Sequence, residues 1–379
     1  MDYKKYFSAD TKSFMRSPVR EIFRKVDLSQ IYSFAGGYPS AETFPLETIK
    51  RLSAVVLEKY GAKALQYGAT QGVPELREVI SKRYGVPVDN IQITTSSQQG
   101  IDVCTRVLVD PGDVVLTTNP TYLGALQSFK SYRAEVVGIE NEKQIADLLA
   151  AGSKIKFFYA IPDFQNPSGQ TMTLEQRVEL VALARKYDFL IVEDSPYREL
   201  RYEGAPVQTI YSLAPERTLH LGSFSKIMAP GFRLGWIIGA PELLDMIYVC
   251  KQALDLCPPI MDQYMAAEFM GGGELDKNLA KTIELYRGKR DHLLSLLEKY
   301  MPDGVTWTHP EGGLFLFLTL PEGYDTVALY DRALAAGVAY VAGSFFYVDG
   351  SHRNTMRLNF SFLDTSRMEP GIKLLASLL

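Results

Sequence analysis

The sequence predicts an α/β protein in which a mostly parallel sheet, covered by helices, is joined to a smaller α+β part. From residue 91 onward, short apolar runs rich in β-branched residues alternate with stretches of helical spacing, which is the pattern of βαβ units. The 379 residues are enough for two domains, and 46% hydrophobic with 22% charged residues is the composition of a folded protein. The predicted strands are Ile91–Thr95, Val114–Thr118, Ile155–Ala160, Phe189–Val192, Thr218–Leu221 and Leu234–Ile238.

The region before the sheet is predicted from helical periodicity and turn residues. Residues 1–45 are irregular, apart from a short helical candidate at Pro18–Arg24 and a turn at Gly36–Pro39. Apolar residues three and four positions apart predict a helix over 46–60. A proline at a first helical position predicts another helix over 74–84.

The C-terminal part is predicted as long helices followed by a small mixed unit. Helical spacing over 241–300 is broken at Pro258-Pro259 and at Gly271–Gly273, and Glu274–Tyr300 is long enough for one extended helix. The remaining predicted elements are strands at Gly313–Leu320, Val338–Val341 and Thr355–Phe360 and helices at Asp325–Ala336 and Glu369–Leu379. We therefore predict a large domain over 46–275 and a small, discontinuous domain formed by 1–45 with 276–379.

Charge and cysteine content argue against several classes of protein. The formal net charge of −4 disfavours a broad nucleic-acid-binding surface, and no run reaches the ~18 consecutive apolar residues of a membrane helix. Cys104, Cys250 and Cys257 are too few and scattered for a disulfide framework, which predicts a reducing, cytosolic location. The four histidines lack metal-ligand spacing, and the first residues lack the apolar core of a signal peptide. Nucleic acid, membrane and metal are therefore not expected as partners.

Polar residues follow the predicted strands, at the edge where parallel sheets bind ligands. Taken alone, each has an ordinary alternative: a helix cap, a packed ring, a turn, a solvated acid or a surface lysine. A lysine in a small-residue loop between buried strands is nevertheless unusual, and buried lysines commonly form Schiff bases. The candidates, in chain order, are Ser97, Gln98, Tyr122, Asn166, Asp194, Tyr197, Ser223, Ser225, Lys226 and Arg233.

Together these residue types suit one cofactor, pyridoxal 5′-phosphate. Small hydroxyl residues and free backbone N–H groups at the start of a helix suit a phosphate group. An aromatic side chain such as Tyr122 can stack on a flat ring. Lys226 can bond the cofactor aldehyde, and Asp194 can pair with the pyridine nitrogen.

The order and spacing of these motifs resemble the fold-type I pyridoxal-phosphate aminotransferases of class I/II. Within them, the resemblance is greatest to the subgroup of 2-aminoadipate and kynurenine aminotransferases, and it runs from about residue 18 to the C-terminus. The most specific motif is S-F-S-K with a following G-x-R-x-G. The segments that carry the resemblance are SPVREIF, SFAGGYPSAETFP, LQYGATQGVPELR, TTSSQQGID, NPTYLGA, PDFQNPSGQ, VEDSPYREL, LGSFSKIMAPGFRLGW and MRLNFS.

The resemblance implies a role for each candidate near the cofactor. Lys226 would form the Schiff base, and Asp194 would pair with the pyridine nitrogen. Tyr122 would stack on the ring and take part in catalysis, while Tyr197 and Asn166 would reach the phenolic oxygen. The phosphate would be held by Ser97, Gln98, Ser223, Ser225 and Arg233.

The resemblance also implies substrate contacts and a homodimer. Arg357 would bind the substrate α-carboxylate, the alternative being a solvated arginine at a strand end. Gly37 and Asn166 would contact the substrate. Tyr67 would reach the phosphate and substrate of the neighbouring subunit, so the active unit would be a homodimer with shared sites.

Two further positions bear on the choice of substrate. Arg20 would reach the distal carboxylate of an acidic substrate, the alternative being an ion pair with Glu21 or Glu42. Asp163 stands where similar sequences often have a small residue. If Asp163 faced the pocket, it would disfavour an acidic substrate side chain.

The implied function is a transaminase that moves an amino group from an L-amino acid to 2-oxoglutarate by a ping-pong Schiff-base mechanism. The donor would be 2-aminoadipate or an aromatic, branched or aliphatic amino acid. One alternative on the same fold is a carbon–sulfur β-lyase, which would also use Lys226 and Arg357. Another is a transcription regulator, but the about 17 residues before the resemblance are too few for a DNA-binding helix-turn-helix, and the chain is acidic.

Overall fold

The computed structural model describes residues 1–8, 11–12, 14 and 30–379. The helical candidate Pro18–Arg24 lies outside the described residues. The strands of the described part, in chain order, are β1 (Tyr32–Ser33), β2 (Ile91–Thr94), β3 (Val114–Thr117), β4 (Glu135–Gly138), β5 (Ile155–Ala160), β6 (Leu190–Asp194), β7 (Thr218–Ser223), β8 (Gly235–Ile238), β9 (Thr306–Trp307), β10 (Phe315–Thr319), β11 (Val338–Ala339), β12 (Val341–Ala342) and β13 (Thr355–Asn359).

The central sheet has seven strands in the order β2-β8-β7-β6-β5-β3-β4. Strand β8 runs antiparallel to β2 and β7, whereas the other neighbouring strands are parallel. The predicted α/β class and the strands predicted for this sheet are confirmed, with ends that differ by at most two residues. Strand β4 was not predicted because it lies at the edge of the sheet, half-buried and without a continuous apolar run.

Two apolar cores lie on opposite faces of this sheet. Val115 and Phe157 belong to one core, and Leu116 and Phe158, their neighbours along the same strands, belong to the other. Because successive residues of a strand point to opposite faces, the sheet is buried on both sides. The helices are α1 (Leu46–Tyr60), α2 (Pro74–Tyr84), α3 (Ser96–Leu108), α4 (Leu123–Ser131), α5 (Glu142–Ala150), α6 (Leu174–Tyr187), α7 (Ile210–Leu213), α8 (Pro241–Asp255), α9 (Ile260–Gly271), α10 (Glu274–Tyr300), α11 (Thr326–Ala336) and α12 (Thr365–Ala376).

The boundaries of several helices follow from local sequence. Helix α2 begins at Pro74, whose fixed φ suits a first helical position, and ends at Tyr84, which is followed by Gly85 in the left-handed conformation. Thr173 and Gln176 form a reciprocal capping box at the start of α6. The predicted interruption at Pro258-Pro259 separates α8 from α9, and the predicted long helix is α10. No helix in the described part of the chain is long and apolar enough to cross a membrane.

The C-terminal part contains an antiparallel sheet in the order β12-β13-β10-β9 and a two-stranded parallel sheet of β1 with β11. The single strand predicted over Val338–Val341 is wrong, because the chain leaves one sheet at Tyr340 and enters the other. The buried hydroxyl of Tyr340 donates to the Thr326 carbonyl at 2.6 Å. This hydrogen bond fixes the residue at which the chain passes from one sheet to the other. The predicted start of the last helix at Glu369 is also wrong, since α12 begins at Thr365 and contains Pro370 in its interior.

The N-terminal segment contacts the C-terminal part through β1, whose Tyr32 and Ser33 pair with Val338 and Ala339. The carbonyl of Phe34 accepts the Asn359 N–H at 2.8 Å, which continues this contact. These pairings support the predicted discontinuous small domain, and the boundaries 46–275 and 276–379 stay a prediction.

Candidate active site

A cavity of about 940 Å³ opens where β3, β5, β6 and β7 end. It brings together nearly all of the predicted site residues, as expected for the carboxyl edge of a parallel sheet. Tyr67 does not line this cavity and is 79% exposed on the surface. Arg20 lies outside the described residues. The predicted residues that line the cavity are Gly37, Ser97, Gln98, Tyr122, Asn166, Asp194, Tyr197, Ser223, Ser225, Lys226, Arg233 and Arg357.

Lys226 follows β7 in a short 3₁₀ turn, and its amine points into the cavity. Its Nζ donates a hydrogen bond to the Gly37 carbonyl at 2.8 Å. Burial, with the positive charges of Arg357 and Arg233, lowers the pKa of this amine to about 8. At pH 7 about a tenth of Lys226 is therefore the neutral, nucleophilic amine, far more than for a lysine with the ordinary pKa of 10.5.

Asp194 is the last residue of β6 and is 2% exposed. Its Oδ2 accepts a hydrogen bond from the Tyr159 hydroxyl at 2.7 Å, but its buried Oδ1 has no hydrogen-bond partner. Burial raises the pKa of this carboxyl to about 6, although Tyr159 and His220 act in the opposite direction. Sequence reasoning missed Tyr159, whose only signal was its place near the end of the neighbouring strand β5.

We expect Asp194→Asn to stabilise the cofactor-free protein at pH 7.5. The folded-state pKa of about 6 lies above the ordinary value of 3.8, so burial of the carboxylate costs stability that grows from about pH 4 and is complete above about pH 6. The gain should approach about 3 kcal/mol at pH 7.5 and vanish as the pH falls below about 4, where folded and unfolded states are both protonated. Urea unfolding at several pH values measures it, with the exposed Asp303→Asn as a control that gains nothing. A loss of stability at pH 7.5 would contradict this account.

Arg357 lies in the middle of β13, and its guanidinium is buried against the rings of Phe315 and Phe346, at 4.3 and 5.1 Å. It donates to the Asn166 side-chain oxygen at 2.8 Å and to the Ala35 carbonyl at 2.6 Å, whereas its Nε has no partner. Burial lowers the pKa of Arg357 to about 10, so the group is still charged at neutral pH. The predicted alternative, a solvated strand-end arginine, is wrong because this side chain is enclosed by the cavity.

Tyr197 and Tyr122 approach the cavity from different strand ends. Tyr197 is buried, and burial raises the pKa of its phenol. Its ring packs edge-on against Phe315, which also contacts Arg357. The Tyr122 hydroxyl donates to the Gln98 side-chain oxygen at 3.2 Å. This hydrogen bond connects the segment that follows β3 to the first turn of α3.

Small residues form a polar surface where α3 begins. Ser96, which stands in the predicted phosphate-binding segment but was not assigned a contact, has a positive φ of 68° and places its hydroxyl 3.3 Å from those of both Ser223 and Ser225. Gly235 permits this approach, because a Cβ there would lie 2.8 Å from the Ser96 backbone. Free N–H groups at the start of a helix attract anions, and the exposed Arg233 lines the same cavity.

Asp163 does not face the cavity, which corrects the possibility raised from the sequence. It is 1% exposed and forms ion pairs with Arg177 at 2.8 Å and Arg198 at 3.0 Å. The two arginines neutralise the carboxylate and hold the start of the loop that carries Asn166. Asp163 is therefore a structural residue in this fold.

The arrangement fits pyridoxal phosphate on its own chemistry. The unpaired Oδ1 of Asp194 lacks a cation that a protonated ring nitrogen would supply, and the amine of Lys226 faces the same cavity. The start of α3 offers an anion-binding end for a phosphate. Fold and site together thus define a pyridoxal-phosphate enzyme of fold type I.

Comparison with known proteins narrows this class. The family model for aminotransferase class I and II matches residues 35–375. An aromatic-amino-acid aminotransferase of Thermococcus litoralis is 45% identical, over 99% of this chain and 94% of the relative. The chain therefore belongs to the class I and II aminotransferase family and is a pyridoxal-phosphate-dependent transaminase, as its sequence motifs predicted.

Two solved structures share the fold along the whole chain. The kynurenine aminotransferase of Pyrococcus horikoshii, in complex with PMP, has a TM-score of 0.95 and 43% identity, and the match covers 100% of this chain and 97% of that chain. LysN, an α-aminoadipate aminotransferase from Thermus thermophilus complexed with N-(5′-phosphopyridoxyl)-L-leucine, has a TM-score of 0.93 and 32% identity, with coverage of 100% and 98%.

Proposed function

We propose that this transaminase moves the amino group of aromatic amino acids and 2-aminoadipate to 2-oxoglutarate by a ping-pong mechanism. The observation that carries this proposal is the buried Arg357 guanidinium beside the amine of Lys226 in one cavity. A planar fork of donors suits a carboxylate, which every amino acid and oxo acid possesses. The names of the aromatic-amino-acid and α-aminoadipate relatives support the choice of donors.

Each residue around the cavity has a proposed task. Pyridoxal phosphate, when bound, supplies an aldehyde for the amino group and a ring that accepts electrons. Asp194 would keep the ring nitrogen protonated through its Oδ1, and Tyr122 would pack on the ring. Tyr197 and Asn166 would donate to the phenolic oxygen. The phosphate would contact Ser97, Gln98, Ser223, Ser225 and Arg233, joined by Ser96.

Lys226 would carry the proton in the chemical step. Its Nζ, which the lowered pKa makes easier to deprotonate, can in the neutral form accept a proton from the substrate Cα and return it later. Arg357 would orient the substrate by its α-carboxylate, and Gly37 and Asn166 would line the same end of the cavity. Because the same amine acts first as a base and then as an acid, Lys226 Nζ must stay close to the reacting atoms through both half-reactions.

A donor panel tests this function. Aromatic amino acids, 2-aminoadipate, leucine and alanine are each incubated with the enzyme and 2-oxoglutarate, and both the oxo acid and glutamate are measured. Equal amounts of oxo acid and glutamate, without ammonia, are expected for the aromatic donors and 2-aminoadipate. Pyruvate and ammonia released from a cysteine conjugate, with no glutamate formed, would instead assign the carbon–sulfur β-lyase.

Arg20→Ala is expected to lower the activity toward acidic substrates selectively. In the half-reaction, kcat/KM for glutamate should fall at least ~10-fold, because a carboxylate would lose its charged partner. Leucine or an aromatic donor should stay within ~3-fold, and Lys50→Ala on the exposed face of α1 should change neither. Equal losses for acidic and neutral donors would assign Arg20 a structural role instead.

We also propose a homodimer in which Tyr67 serves the neighbouring site, an arrangement that its 79% exposure supports. Tyr67→Phe subunits mixed with Lys226→Ala subunits should regain one intact site in each heterodimer. Loss of a hydrogen bond to a charged group costs about 1.5–3 kcal/mol, so each parent should be clearly less active than the mixture. Mixing Tyr67→Phe with the double variant Lys226→Ala/Tyr67→Phe is the control, since it restores no site. Activity equal to the average of the parents would contradict a shared site.

We propose a cytosolic location from the state of the three cysteines. Cys104, Cys250 and Cys257 are all free thiols, which suits a reducing compartment such as the cytosol.

A further inference from the structure

A carboxylate at the end of α8 binds the turn that begins α3. The Asp255 Oδ2 accepts hydrogen bonds from Gln99 Nε2 at 2.7 Å and from the Thr95 hydroxyl at 3.0 Å, while Oδ1 pairs with Lys251 Nζ at 2.5 Å. The Gln99 side-chain oxygen in turn accepts the Thr95 N–H at 2.8 Å. These four residues, Thr95, Gln99, Lys251 and Asp255, form the Asp255 cluster.

The Asp255 cluster lies at the end of the cavity that the phosphate would occupy. Thr95, Gln99 and Asp255 line the cavity together with Ser96 and Ser97. Thr95 and Gln99 bracket the first turn of α3, whose N–H groups have no partner within the helix. Asp255 therefore fixes both ends of the turn that presents these donors.

The charge of Asp255 is opposed by a buried cation. The Lys251 side chain is fully buried, whereas that of Asp255 is 28% exposed toward the cavity side. A carboxylate beside an anion-binding turn would repel a phosphate dianion if it stood alone. With Lys251 at 2.5 Å the pair carries no net charge, so the turn is held without that repulsion.

We propose that Asp255, neutralised by Lys251, is a positioning residue that holds the Thr95–Gln99 turn ready for the cofactor phosphate. This inference rests on the proposed function, which places the phosphate at the start of α3. It assigns tasks to residues that the sequence motifs did not single out, because Asp255, which binds the turn, and Lys251, which pairs with Asp255, both lie more than 150 residues from that turn. Neither residue needs to touch the cofactor ring or the substrate.

Affinity for pyridoxal phosphate, compared with pyridoxal, tests this role. The cofactor-free protein is titrated with each compound and the absorbance of the bound form is followed. Lys251→Met leaves the Asp255 carboxylate unopposed, so the dissociation constant for pyridoxal phosphate should rise about tenfold and that for pyridoxal less than about threefold. In Lys251→Met/Asp255→Asn the repulsion is gone, and at least about threefold of the lost affinity should return.

Two further variants keep the test decisive. Lys143→Met removes the lysine of an exposed pair with the same spacing and the same 2.5 Å distance, and it should leave both affinities unchanged. Gln99→Met removes one of the two hydrogen bonds between the turn and Asp255, keeps that of the Thr95 hydroxyl and does not disturb buried Lys251. It should weaken the binding of pyridoxal phosphate about threefold more than that of pyridoxal. Equal losses for both compounds, or no recovery in the double variant, would overturn the positioning role. If the unmodified enzyme itself bound both compounds equally, the proposed phosphate placement would be wrong instead.

Discussion

Lys226→Ala is expected to lower transaminase turnover roughly 1,000-fold or more while leaving the fold intact. The variant loses the amine that bonds the cofactor aldehyde and the group that carries the substrate proton, and proton transfer alone contributes about 10²–10⁴-fold. Its stability should not fall, because Nζ is a buried amine whose lowered pKa shows that burial disfavours the charged form. Steady-state kinetics and thermal unfolding of the same preparation measure both outcomes.

Chemical trapping identifies the bonded residue independently of turnover. Borohydride reduction of the yellow enzyme should fix the cofactor on the peptide that contains Ser225 and Lys226, and on no other lysine peptide. Uptake of pyridoxal by the cofactor-free protein should accelerate with rising pH and level off above about 8, where the Lys226 amine is mostly neutral. Labelling at a different lysine, or a colourless protein in excess cofactor, would refute this assignment.

Arg357→Gln is expected to lower kcat/KM for every amino acid donor about 30- to several-thousand-fold. The range corresponds to the 2–5 kcal/mol lost when one partner of a buried, hydrogen-bonded charge pair is removed. Arg357 is 4% exposed and its pKa of about 10 keeps it charged, so the ion pair with the substrate is screened much less than a pair on the surface. Arg357→Lys should recover only part of the loss, because an ammonium lacks the planar fork.

A substrate amine that lacks the α-carboxylate distinguishes a loss of carboxylate recognition from general damage to the cavity. Tyrosine and tyramine differ in the α-carboxylate, so Arg357→Gln should slow the half-reaction of tyrosine strongly and that of tyramine within about threefold. Arg185→Gln, which removes an exposed arginine paired with Glu216, should alter neither. Equal losses for the amine and the amino acid would show that Arg357 supports the cavity structure and does not read the carboxylate.

Much of the site was predictable because its residues follow strands at one edge of the sheet. Lys226 and Asp194 come directly at strand ends, and the carboxyl ends of parallel strands meet in space whatever their distance in sequence. Ser96 was left out of the predicted phosphate contacts because a serine at the start of a helix is usually its cap, and its close approach to β8 requires the absence of a side chain at Gly235. Tyr159 was missed because a tyrosine inside a buried strand has the pattern of a core residue.

Periodicity, turn residues and motif spacing were sufficient to predict the α/β class, the cofactor and the identities of Lys226 and Asp194. These signals are local, since hydrophobic period and turn chemistry act within about ten residues. Tertiary packing was needed to establish that Asp163 is neutralised by Arg177, and that Asp255 holds a turn 156 residues away. Such pairings depend on how distant elements pack. Burying a charge is costly unless packing brings an oppositely charged partner within reach, and local sequence does not show which partner that is.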